Sequence, residues 1–112
     1  MAIQVTQQGN SSRIAIEGEM TIFTAAEIKQ ALLDALSSSD ELTADLSSVG
    51  EADTAGLQLL LMAYNEAVNA GKALHFVQPS AAVQEILQLS DLVRLLDGSQ
   101  PSFSAPVFTL KA

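Results

Sequence analysis

Cysteine is absent from this chain of 112 residues. Its absence excludes disulfides, thiolate metal sites, thiol redox chemistry and cysteine nucleophiles, and it is what a reducing compartment permits. There is one histidine, His75, so a histidine-clustered metal site is not expected. Basic residues are few: five against thirteen acidic ones give a formal net charge of −8. A phosphate backbone or an anionic membrane surface would repel such a chain, which makes nucleic acid the wrong partner class. Long apolar runs are missing too. The region around Leu57 to Val68 is too short and too interrupted by polar residues to span a bilayer, so no direct membrane insertion is expected. Met-Ala-Ile-Gln at the start has no basic segment leading into an apolar stretch, so no signal peptide is expected, and the reading is a cytoplasmic protein.

What is present suits a single domain over residues 1–112. Hydrophobic residues make up 48% and charged residues 16%, enough apolar surface to offset chain entropy without covalent staples. Ile3, Val5 and Gln7 alternate with Gln4, Thr6 and Gln8; Gly9-Asn10-Ser11-Ser12 turns the chain; Ile14 and Ile16 resume the alternation. That pattern predicts an N-terminal hairpin. Thr24 followed by Glu27 reads as a capping box, opening a helix whose apolar positions are Ala25, Ile28, Leu32, Ala35 and Leu36. A break at Ser37-Ser38-Ser39-Asp40 precedes a short strand through Leu42, Ala44 and Leu46. Asp53-Thr54 opens a second helix reaching Asn69 or Ala70, with Gly71 placed to end it in a left-handed conformation. Ala73 to Val77 reads as a buried parallel strand, and a third helix from near Ser80 turns Val83, Ile86 and Leu87 inward. Leu89 to Leu96 fits either one more helical turn or an edge strand. Pro101 and Pro106 make the tail over residues 98–112 irregular. Alternating strands and helices after a hairpin predict an α/β fold: a four- to five-stranded mixed sheet with helices packed on it.

The chemistry concentrates between Asp45 and Leu61. On a wheel at about 100° per residue, Leu57, Leu60, Ala63, Tyr64 and Ala67 form the buried stripe of the second helix. Thr54, Gln58, Met62, Asn65 and Asn69 fall opposite, with Leu61 at the margin. Thr54 thus shares an outward face with an exposed Met62, a flexible apolar side chain suited to adaptable protein surfaces. A hydroxyl at a helix N-terminus, beside unpaired amides and the positive end of the helix dipole, is a favourable place for a phosphate. Local acidity opposes it, because seven acidic residues and no basic one lie between Lys29 and Lys72. Several plainer readings stand beside this one. Thr54 or Asp53 can serve as the helix cap. Gly56 can allow close helix-to-sheet packing or the approach of a partner. His75 reads as a strand histidine with a local hydrogen bond. Enzymatic readings find little: Glu66 stands where a phosphate-binding loop ending in Gly71-Lys72 needs its first glycine, and no catalytic serine arrangement can be argued from one strand histidine. No cofactor motif is present.

Asp45-Leu46-Ser47, Asp53-Thr54-Ala55-Gly56-Leu57 and the stretch from Gly18 to Glu27 resemble the signature segments of STAS domains, a family that includes the bacterial anti-sigma factor antagonists. The resemblance runs from about Ile3 to Leu96. It implies a STAS-like fold and, directly after the Asp of the Asp-Thr-Ala-Gly-Leu segment, a Ser or Thr that is reversibly phosphorylated by a partner kinase doubling as an anti-sigma factor. Carried over by position, the phosphoacceptor is Thr54 with Asp53 as its neighbour. The implied function is a phosphorylation-switched, protein-binding signalling module without catalytic activity, contacting a protein kinase, anti-sigma factor or signalling scaffold through Asp53, Gly56, Gln58, Leu61, Met62 and Asn65. The alternative is a subunit of a larger chemotaxis-associated or lipid-transport assembly, in which Thr54 is never modified. Members of the sporulation type carry an acid where this chain has Thr21, and the family's last helix has no clear counterpart in the tail.

Overall fold

The computed structural model describes residues 2–89. Strand β1 (Ala2–Gln8) and strand β2 (Ser11–Met20) form the expected hairpin; helix α1 (Ala25–Ser37), strand β3 (Glu41–Ala52), helix α2 (Thr54–Ala70), strand β4 (Ala73–Val77) and helix α3 (Ala81–Leu89) follow. The four strands make one mixed sheet in the order β1-β2-β3-β4. β1 pairs antiparallel with β2, while β2 with β3 and β3 with β4 are parallel. The readings of Leu89 to Leu96 and of the tail lie outside the described residues.

One sheet face carries Ile14 and Ile16 from β2, Leu42, Ala44 and Leu46 from β3, and Leu74 and Phe76 from β4, all buried. Against it pack Ile28, Leu32, Ala35 and Leu36 of α1, the predicted stripe Leu57, Leu60, Ala63, Tyr64 and Ala67 of α2 with Leu59 beside it, and Val83 and Leu87 of α3. Burial at helical spacing on one side and at period two on the other makes this a single apolar layer. The helices cover one face of the sheet, so β4 alternates like β3, Leu74 and Phe76 inward and His75 half-buried, where a strand buried on both faces was expected.

The third strand is twice as long as its sequence pattern suggests, because two irregularities hide the alternation. Between Ala15 and Glu17, and again between Gly18 and Glu19, β3 contains one residue more than β2. Each extra residue resets which parity faces the core, so Leu46 is followed by Val49 as the next inward side chain. Asp45 sits at the first irregularity: its Oδ1 accepts from the Ser47 amide at 2.9 Å and its Oδ2 from the Arg13 guanidinium at 2.8 Å. The Leu46 carbonyl then accepts from the Ser80 amide at 3.2 Å, tying the start of α3 to the same point.

Gly71 ends α2 with a φ of 69°, which lets the Lys72 amide reach the Ala67 carbonyl at 2.8 Å. Gly56 is required for a different reason. A Cβ on it would stand 2.3 Å from the Met20 carbonyl oxygen, so the first turn of α2 lies directly on the end of β2. The two alternatives open for Gly56 are thereby separated: its missing side chain makes room for the sheet backbone.

Two outcomes follow from these contacts. Gly56→Ala should lower stability in urea unfolding by about 1–3 kcal/mol, the overpacking cost exceeding the helix-propensity gain of about 1 kcal/mol; equal or greater stability would show that α2 shifts freely. Burial pushes the Asp45 carboxyl upward, but the Ser47 hydroxyl and amide and Arg13 outweigh it and hold the carboxyl below its ordinary value. A folded-state value below the unfolded one means that ionised Asp45 stabilises the fold above the unfolded value, a contribution lost as pH falls through the folded one. Asp45→Asn should therefore flatten the acid limb of the stability profile below about pH 4 while leaving other slopes unchanged.

Candidate functional site

At the sheet end where β2 and β3 run into α1 and α2, the Asp53 carboxylate gathers three backbone amides. Its Oδ1 accepts from Ala55 at 2.9 Å and from Gly56 at 3.2 Å, the N-cap arrangement of α2. Its Oδ2 accepts from Ile22 at 3.2 Å, across to the turn that leads into α1. Asp53 is thus the cap, and Thr54 is the first helical residue, exposed, its hydroxyl used by none of the described hydrogen bonds.

This arrangement corrects part of the phosphate argument. The amides of Ala55 and Gly56 are taken by the Asp53 side chain, and that of Leu57 donates to the Asp53 carbonyl at 3.1 Å. A phosphate on Thr54 would keep the favourable dipole direction, but those amides already have an acceptor, and Asp53 and Glu51 flank it in sequence. Gln58 and Asn65 are exposed on the same side of α2 as Thr54. Met62, expected to be exposed, is half-buried, and like Leu61 it packs against the core. Gly56 is buried against Met20 and presents no surface of its own.

The turn between β2 and α1 lies in the Gly18 to Glu27 segment that carries the family resemblance, but none of its residues was among the expected contact residues. Thr24 does not form a capping box: no side-chain cap bond is made, and its Oγ1 instead accepts from the Thr21 amide at 3.1 Å and donates to the Glu19 carbonyl at 3.1 Å. Thr21, only 3% exposed, donates its hydroxyl to Glu19 Oε1 at 3.1 Å and accepts from the Phe23 amide at 3.3 Å. These bonds turn the chain so that Ile22 is 69% and Phe23 90% exposed. The signal that marks them is the departure from both periods: two consecutive apolar residues immediately before a helix start.

His75 Nε2 lies 3.2 Å from Glu41 Oε2, the local partner expected of a strand histidine. Among the described residues no group of three or more histidine, aspartate or glutamate side chains is placed to hold a metal ion, and no helix is long and apolar enough to cross a membrane.

The roles of Asp53 and Thr54 separate by mutation. Asp53→Ala strands two helical amides and releases the Ile22 turn, and should cost about 1–2 kcal/mol in denaturant unfolding. Thr54→Ala should stay within about 0.5 kcal/mol of the parent. A reversed ranking would make Thr54 the structural residue.

Comparison with solved structures places this geometry among known ones. An anti-sigma factor antagonist from Mycobacterium paratuberculosis superposes with a TM-score of 0.73 at 21% identity, covering 95% of this chain and 92% of that one. The phosphorylated form of the Bacillus cell fate determinant SpoIIAA gives 0.65 at 16% identity, covering 99% and 92%. RsbS of Moorella thermoacetica gives 0.69 at 16% identity, covering 100% and 89%. At these identities the likeness is one of fold. The sequence itself matches the family model described as "Mlab, STAS domain" over residues 3–97, nearly the whole chain, and the protein belongs to that STAS domain family.

Proposed function

We propose that this chain is a protein-binding signalling module switched by phosphorylation of Thr54, in the manner of the anti-sigma factor antagonists. The observation that carries the reading is the division of labour at the start of α2: Asp53 does the capping, which leaves the Thr54 hydroxyl exposed and unused. A residue with no structural duty at the tip of a helix can be modified without loss of the fold. The solved likeness to SpoIIAA in its phosphorylated form supports the same direction. The unmodified form would bind a protein kinase, anti-sigma factor or signalling scaffold through Thr54, Gln58 and Asn65, with Leu61 and Met62 at the margin. Catalysis is not part of the reading, and its setting would be the bacterial cytoplasm with transcription control as output. Residues 1–112 would act as one domain.

A second reading has one observation in its favour. Position 21, acidic in the sporulation type, holds here a buried neutral hydroxyl engaged with Glu19. That favours a constitutive subunit of a larger assembly, in which Thr54 is a contact and is never phosphorylated.

Incubation with ATP and lysate of the source organism should add one phosphate to Thr54, read by mass spectrometry, and none to Thr54→Ala. Modification elsewhere with Thr54 untouched would overturn the switch. Thr54→Glu should keep its melting temperature, since an acid in the first helical turn is worth about 0.3–1 kcal/mol in favour of the helix. It should nonetheless bind the partner at least about tenfold more weakly, because bulk and charge fill the place of a small hydroxyl. Weakened binding by Thr54→Glu without any phosphorylation would select the second reading.

A further inference from the structure

We propose that Phe23, with Ile22 beside it, is the apolar anchor of the partner contact, and that it enters an apolar pocket rimmed by lysine or arginine on a different folded protein. The inference rests on the partner-binding reading of the Thr54 face. Phe23 is 90% and Ile22 69% exposed, the two most exposed large apolar side chains among the described residues. They are not on a loose loop. The Phe23 amide is held by Thr21, the Ile22 amide by Asp53, and the turn between them by Thr24. With the backbone beneath it fixed, the segment gives up little chain freedom when the aromatic ring docks, which is the character of an interface anchor.

Its surroundings state the partner's charge. Glu19 and Glu51 are paired neighbours across β2 and β3, Asp53 bonds the turn itself, and Glu27 lies in the first turn of α1. Of the described basic residues, Arg13 is tied to Asp45 and Lys72 to the Leu36 carbonyl, while Lys29 follows in the second turn of α1. An apolar tip in an acidic setting complements an apolar pocket in a basic one. A second copy of this chain would bring acid against acid, and an anionic lipid surface would be repelled in the same way.

The test places the photo-crosslinking residue p-benzoylphenylalanine at Phe23, at Gln58 on the Thr54 face, or at Val68 near the far end of α2, and irradiates each protein in lysate of the source organism. Phe23 and Gln58 should capture the same protein, with the Phe23 adduct on an apolar peptide next to lysine or arginine, and Val68 should not. The captured protein, purified, should bind Phe23→Ser at least about tenfold more weakly than the parent, with no change in melting temperature. Parent affinity should fall between about 50 and 500 mM salt. Capture from Gln58 but not Phe23, full affinity of Phe23→Ser, salt-independent binding, or a second copy of this chain on Phe23 would each overturn the anchor and leave the Thr54 face standing. Failure to capture from both positions would remove both.

Discussion

The Asp53 carboxylate is the interaction on which this end of the molecule depends. It closes the amides of Ala55 and Gly56 at the start of α2 and, with its other oxygen, fixes the Ile22 amide in the turn before α1. A side chain bonded to amides from two elements sets their separation as well as capping one of them. The Met20 carbonyl completes the junction: it accepts from the Asp53 amide at 3.4 Å and faces Gly56 where any Cβ would collide. Capping at Asp53 is also what frees Thr54, so the exposed hydroxyl and the exposed turn are consequences of one carboxylate.

The junction lies where it does because of the two irregularities between β2 and β3. The first of them turns Val49 toward the core, and the second restores the even-numbered parity, so that Ala52 packs against the core again at the junction. Asp45 holds the first of these through Ser47, and the adjacent Leu46 carbonyl receives α3. The long third strand therefore links a structural carboxylate at mid-sheet to a carboxylate at the sheet end, Asp45 to Asp53. These carboxylates lie in two of the three segments that carry the resemblance to STAS domains.

Charge and apolar exposure point to one surface. The chain carries net charge −8, and of the described lysine and arginine residues Arg13 and Lys72 serve internal bonds while Lys29 stands exposed in the second turn of α1. Ile22 and Phe23 project at the acidic end of the sheet, close in the fold to Thr54 through the Ile22 to Asp53 bond. A phosphate on Thr54 would join this acidic setting without gaining the Ala55 or Gly56 amide. Such a modification adds charge and bulk at the contact while giving the helix little in return, which suits a reversible mark.

The elements with strong periodicity were legible from the residues alone. The stripe of α2 from Leu57 to Ala67, the core face of α1, the hairpin and the left-handed stop at Gly71 all stand where helical and alternating patterns put them. Local chemistry suffices there, since each residue's position in its own element decides which way it faces. Thr54 at an exposed helix start was legible for the same reason. Three features were not. The continuation of β3 past Leu46 was hidden because an inserted residue breaks period two. Thr24 bonds back to Glu19 and Thr21 where a Thr-x-x-Glu pattern suggested a cap, because the end of β2 offers its groups at closer range. Ile22 and Phe23, for which the sequence pattern gave no orientation, face solvent because a buried Thr21 and the Asp53 carboxylate bend the chain outward. Each of these depends on groups from a second element, and sequence spacing says nothing about which distant backbone atom a side chain will meet.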